Sequence, residues 1–137
     1  MTMTSRRILV TEDDMDRLKD LVRASRRSAR RDQNHLAELD RELDRAEVVA
    51  TADIPSDVVT MHSVVRVRDL DTDARVDYRL VFPADADIER RRISVLAPIG
   101  TALIGYRAGD RIEWTTPGGT RRLEVEAVLY QPETAAA

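Results

Sequence analysis

Cysteine is absent from this 137-residue chain, and histidine occurs only at His35 and His62. Without thiols there is no disulfide framework, no thiolate metal site and no cysteine nucleophile, a composition that suits a reducing compartment. Two histidines nearly exclude a catalytic triad or a site built from several imidazoles, so any metal site would have to rest on carboxylates. Aromatics are scarce too, with one tryptophan, one phenylalanine and three tyrosines. No apolar run approaches the ~20 residues of a membrane span, and the N-terminus lacks the apolar core of a secretory signal. A soluble, cytoplasmic protein is the expectation. An excess of positive charge is also missing: the net charge of -3 argues against a non-specific nucleic-acid coat, and no sequence-specific DNA binding is expected. Lysine itself is nearly missing, since Lys19 is the one lysine among 22 basic residues. Genomic base composition and a demand for bidentate guanidinium pairing both account for such a bias.

What is present is a hydrophobic fraction of 42%, enough for one ordinary domain with an appendage or for two small units. The most informative stretch runs from Ile93 to Trp114. Ile93 and Val95, and later Ile112 and Trp114, sit at strand spacing, while Pro98 to Gly105 reads as a short helix between them. Pro98 stands where a first helical turn tolerates proline, and Gly105 where a left-handed residue ends the helix. Ile99, Ala102, Leu103 and Ile104 give this helix an apolar side, which places it on a sheet. Gly109-Asp110 then turns the chain into the next strand.

Ile8 to Val10 is a short apolar run, read as an edge strand or a staple. Thr11 and Asp14 have the spacing of a capping box with Asp in the Glu position, and Glu12, Asp13, Asp14 and Asp16 favour the N-terminal end of a helix dipole. Met15, Leu18, Val22, Ser25 and Ala29 follow at helical spacing, and Leu36, Leu39, Leu43, Ala46 and Ala50 form a second series. The residues between them, Arg31 to Asn34, supply turn and cap chemistry, so two helices fold back as an antiparallel hairpin. Its seam is narrow, and its base needs the second unit for support. Arg23, Arg26, Arg27, Arg30 and Arg31 gather at the tip, while Glu38, Asp40, Glu42, Asp44 and Glu47 line the second helix. Two readings of that charge are open: a solvated face with intrahelical ion pairs, or a directed positive tip.

Thr51 to Asp57, with Pro55, breaks the helical period and divides the chain into units 1–52 and 53–137. Val58 to Thr60 and Val64 to Arg68 are β-branched, and Val76, Tyr78, Leu80 and Phe82 alternate with Asp77, Arg79 and Val81 across a turn at Asp71 to Asp73. Leu123, Val125, Ala127 and Leu129 form a last strand after a turn at Pro117 to Gly119. Gln131 to Ala137 has nothing evident to pack against. Trp114 reads as core, and Tyr106 and Arg107 as exposed. The fold class is α+β: a two-helix coiled-coil hairpin, then an antiparallel sheet with one short helix.

The stretches DVVTMHSVVRVRDL, VDYRLVFP, ISVLAPIGTALIGYRAGD, PGG and LEVEAVLYQPE together resemble the C-terminal domain of the Gre transcription factor family. AELDRELDRAEVV, PSDVVTMHS and the ending YQPE are similar to a short-hairpin branch of that family, whose members are regulators of nucleoside diphosphate kinase. The resemblance spans Ile8 to Glu133. It implies an FKBP-like fold for the second unit and binding to bacterial RNA polymerase at the secondary channel, with the hairpin pointing inward. It places Pro98 and Ile99 against the polymerase, with Leu96-Ala97 standing where longer Gre factors carry Asp-Ser. Those factors also hold paired acids at the tip, which help bind magnesium and promote transcript cleavage. Here Arg26, Arg27, Arg30 and Arg31 surround a lone Asp32. A hard cation needs anionic oxygen ligands, so no metal and no cofactor is expected, and the chain reads as a non-enzymatic regulator. Three further readings stay open: retained cleavage stimulation, direct contact with nucleoside diphosphate kinase, and prolyl isomerase activity, against which the shortage of aromatics weighs.

Overall fold

The computed structural model describes residues 8–28, 33–116 and 118–135, with side chains except at 26–28, 33–35 and 114–116. Strand β1 (Leu9–Thr11) leads into helix α1 (Glu12–Ser28), which is followed by α2 (Gln33–Arg45) and β2 (Glu47–Val49). Thr11 caps α1, its Oγ1 accepting the Asp14 N–H at 3.1 Å. The Asp14 carboxylate does not return to Thr11 to complete a box. Leu18, Val22, Leu36, Leu39 and Leu43 are buried along the helix seam. Ala46 follows the end of α2, and Ala50 lies outside it because β2 intervenes and pairs in parallel with β1. Ala29 and the rest of the turn at 29–32 lie outside the described residues. The first unit is thus closed at its base by backbone hydrogen bonds as well as by its seam.

Ion pairing runs between the helices as well as along them. Lys19 Nζ donates to Asp40 at 3.1 Å and to Asp44 at 2.6 Å, tying α1 to α2. Arg23, read as part of the positive tip, pairs with Asp20 at 2.8 Å. Glu42, expected among the acids lining the second helix, is buried and accepts from Arg45 at 3.1 Å.

A 3₁₀ turn at Thr51–Asp53 spans the boundary to the second unit. It contains β3 (Val64–Asp69), β4 (Arg75–Val81), β5 (Arg92–Ser94), helix α3 (Pro98–Leu103), β6 (Arg111–Thr116), β7 (Gly119–Tyr130) and helix α4 (Pro132–Ala135). The sheet order is β5-β4-β3-β7-β6, antiparallel throughout except where β5 runs parallel to β4. Val58 to Thr60 is not a strand; an isolated bridge from Val58 to Arg107 is its one ladder contact. Alternation in β4 stops at Leu80, since Val81, beside β5, is buried as well. Tyr78 and Phe82 pack against the core while half-buried.

The two units share one apolar core, in which Leu18, Leu36 and Leu39 of the hairpin join Val65, Leu80 and Leu103 of the sheet and α3. Gly105 sits at their junction with φ +82°, the left-handed conformation its position after α3 requires. A Cβ there would stand 2.6 Å from Cβ of Ile8, so glycine is also demanded by close approach. Leu9 N–H donates to its carbonyl at 3.1 Å. Tyr106, expected to be exposed, is buried, and its hydroxyl reaches Glu42 of α2 at 3.4 Å. The C-terminal segment is also packed: Gln131 is buried and its Nε2 donates to the carbonyls of Pro55 (2.7 Å) and Val58 (2.9 Å).

Candidate docking surface

Residues 94–99 leave the end of β5 and enter α3. Ser94 Oγ accepts the Leu96 N–H at 3.0 Å, and the Ser94 carbonyl accepts from Ala97 at 3.0 Å. Ala97 is the N-cap, extended at φ -68° and ψ 151°, and Pro98 follows at the first helical position, where its missing N–H leaves no bond unmade. Thr101 locks the turn from below, its Oγ1 donating to the Val95 carbonyl at 2.6 Å. Gly100 lets the helix approach closely, because a Cβ there would meet the Ser94 carbonyl oxygen at 2.1 Å. Pro98 is therefore held exposed on a fixed turn, between Leu96 and Ile99, each half-buried and packed against the core. None of Leu96, Ala97, Pro98 or Ile99 is ionisable. This surface offers apolar contact and shape, and no proton transfer.

The other predicted positions divide. Arg26 and Arg27 lie in α1 with their side chains outside the description, and Arg30, Arg31 and Asp32 lie outside the described residues. Among the described residues no group of three histidines or carboxylates converges to hold a metal ion.

Sequence reasoning missed a polar clasp beneath the hairpin. Asp14, only 6% exposed, accepts the Met61 N–H at 3.0 Å across the junction between the units. Burial pushes its carboxyl from 3.8 up to about 6, aided by nearby Glu133 and Asp13 and opposed by the Met61 N–H and Arg17. Glu133 in turn accepts from Thr60 Oγ1 at 2.7 Å, and the Thr60 and Ser63 hydroxyls lie 2.8 Å apart. A signal for Asp14 was available: it stands four residues before Leu18, on the apolar face of α1. Beside the clasp, Thr51, Ala52, Ile54, Ser56, Glu133 and Thr134 line a cleft of about 230 Å³.

The chain is similar to known proteins over most of its length. Residues 54–130 match the family described as transcription elongation factor, GreA/GreB, C-terminal, and residues 6–49 match the one described as the Rnk N-terminus. The regulator of nucleoside diphosphate kinase of Escherichia coli (strain K12) is 48% identical over 99 residues, covering 71% of this chain and 72% of that protein. Transcription elongation factor GreA of Syntrophotalea carbinolica is 35% identical over 98 residues, 72% of this chain and 62% of its own length. Among solved structures, a prokaryotic transcription elongation factor GreA/GreB from Nitrosomonas europaea superposes with a TM-score of 0.74 at 39% identity, over 90% of this chain and all of that one (100%).

Proposed function

The chain belongs to the GreA/GreB family of transcription factors and to its Rnk branch, and from that membership we propose that it binds bacterial RNA polymerase at the secondary-channel entrance without stimulating transcript cleavage. Residues 96–99 supply the contact, with Pro98 as its exposed centre. The N-terminal hairpin enters the channel mouth, competing with longer channel-binding factors or obstructing nucleotide access.

The observation that carries the second half of this reading is the composition of the hairpin turn. Arg26, Arg27, Arg30 and Arg31 precede Asp32 in the sequence, and Asp32 is the one acid between Asp20 and Glu38. Guanidinium groups repel a divalent cation, and one carboxylate cannot replace the anionic pair that would hold it. The arms are also short: the 17 residues of α1 extend about 25 Å at ~1.5 Å per residue. Both features favour occupancy without chemistry.

Equilibrium binding to purified core RNA polymerase tests the first half. Association at micromolar concentration or tighter is expected, and none at all would end this reading. Replacing Arg26, Arg27 and Arg30 by Glu is expected to weaken that complex most at low salt; unchanged affinity would return the tip to a solvated face. A second reading, direct contact with nucleoside diphosphate kinase, rests on the name of the Escherichia coli relative. Binding between the two purified proteins without polymerase would favour it.

A further inference from the structure

The face of the sheet turned away from the helices is laced with ion pairs over most of its area. Arg66 meets Asp77 at 2.9 Å, Arg68 meets Glu124 at 3.2 Å and Arg75 meets Glu126 at 2.9 Å. One row breaks that pattern. Register places Arg92 of β5 beside Arg79 of β4, Arg79 beside Val64 of β3, and Val64 beside Tyr130 of β7. Beyond Arg92 the row continues through its bridge to Asp87. Among the described residues neither Arg79 nor Arg92 has an ion-pair partner; Arg79 lies over the Tyr130 ring, 5.4 Å from its centroid. The row is about 19 Å long at ~4.8 Å per strand step.

Its ends are apolar. Ile88, next to Asp87, is 74% exposed, and Leu129 and Tyr130 are 47% and 42% exposed. Those are three of the four large apolar side chains exposed among the described residues. A bulge explains the pair at the β7 end: Val64 faces Tyr130 while Val65 faces Val128, so Leu129 is the extra residue and both it and Tyr130 are turned to solvent. Asp87 at the end of the row pairs with Arg90, so two guanidinium groups without ion-pair partners among the described residues, flanked by apolar groups and a tyrosine, have the composition of a protein-binding hot spot. A nucleic acid would use the arginines but not Ile88 and Leu129.

We infer that this row is a second docking surface for the polymerase, taking an acidic segment with apolar side chains at its ends. The inference rests on the polymerase reading above and extends it. The two surfaces are joined along the chain by β5, which begins at Arg92 and leads from its other end into residues 96–99.

The test is binding of the full chain to core RNA polymerase across a salt series, comparing wild type with Arg79→Glu/Arg92→Glu and with Ile88→Ser/Tyr130→Ala. About tenfold weaker binding at low salt and a flatter salt dependence are expected for the charge variant. The apolar variant is expected to bind several-fold more weakly with the salt dependence retained. Thermal melts confirm folding, and Arg79→Gln/Arg92→Gln, which removes charge without reversing it, is expected to fall between wild type and the Glu variant. Wild-type binding with all variants unaffected overturns this surface and leaves the polymerase reading standing. No wild-type binding overturns both. If the variants lose affinity for a 20-nucleotide single-stranded RNA while polymerase binding is unchanged, the occupant is nucleic acid and the inference fails.

Discussion

Asp14 holds a carboxyl group where the hairpin meets the sheet domain, and its proton affinity is a statement about stability. Its folded pKa is raised from 3.8 to about 6, chiefly by burial, so between those values the folded state binds the proton more tightly than the unfolded chain does. The contribution of Asp14 to stability is therefore fully present below the lower value and is lost as pH rises from about 4 to about 6, by up to about 3 kcal/mol at ~1.36 kcal/mol per unit. Asparagine can still accept the Met61 N–H without carrying charge. Asp14→Asn is expected to melt higher than wild type at pH 7.5 and to converge with it near pH 4; a lower melting temperature with an unchanged pH profile would contradict this. Gly105 carries a different constraint. Alanine there combines a left-handed φ with a Cβ 2.6 Å from that of Ile8, and a loss of about 2–4 kcal/mol is expected in urea unfolding. At Gly109, also left-handed but with open space around it, Gly→Ala is expected to lose about 1 kcal/mol. Equal losses at the two glycines would refute the close-approach argument.

Among the elements, the C-terminal segment behaves least like its sequence. Gln131 through Ala137 has no periodicity, yet Gln131 satisfies two backbone carbonyls that follow the 3₁₀ turn, and Thr134 hydroxyl donates to Gln131. Gln131→Ala leaves the Val58 carbonyl without its donor, while the Pro55 carbonyl keeps the Val58 N–H at 3.2 Å, and a loss of about 1–2 kcal/mol in urea unfolding is expected; a change below about 0.5 kcal/mol would show that water replaces the amide without penalty. Elements with a repeating signal were legible: the two helices from Leu18, Val22, Leu36, Leu39 and Leu43, the strand–helix–strand order around Pro98, and the left-handed Gly105. Elements defined by a partner distant in sequence were not. β2 is three residues long and exists because Glu47 N–H finds the Ile8 carbonyl at 2.8 Å, and Tyr106 is buried because α2 brings Glu42 to it. Leu96 to Ile99 could be singled out through likeness to a family, while the rigidity of their turn depends on Ser94, Gly100 and Thr101, whose bonds no spacing announces.

At the scale of the whole molecule, a shared core joins a short hairpin to a sheet domain, so the hairpin projects from a fixed base. Asp14 and Glu42, one from each helix, make polar contacts across that base from the hairpin side. A fixed arm suits a factor that occupies a channel, and the arginine-rich turn suits one that does so without placing a metal. The most direct test is transcript cleavage by a backtracked RNA polymerase complex, with this protein alone and in competition with a long-hairpin Gre factor. The expected result is no stimulation by the protein alone and dose-dependent suppression of Gre-stimulated cleavage. Stimulation by the protein alone would contradict the account of the turn, and failure to suppress in competition would contradict docking at the channel entrance.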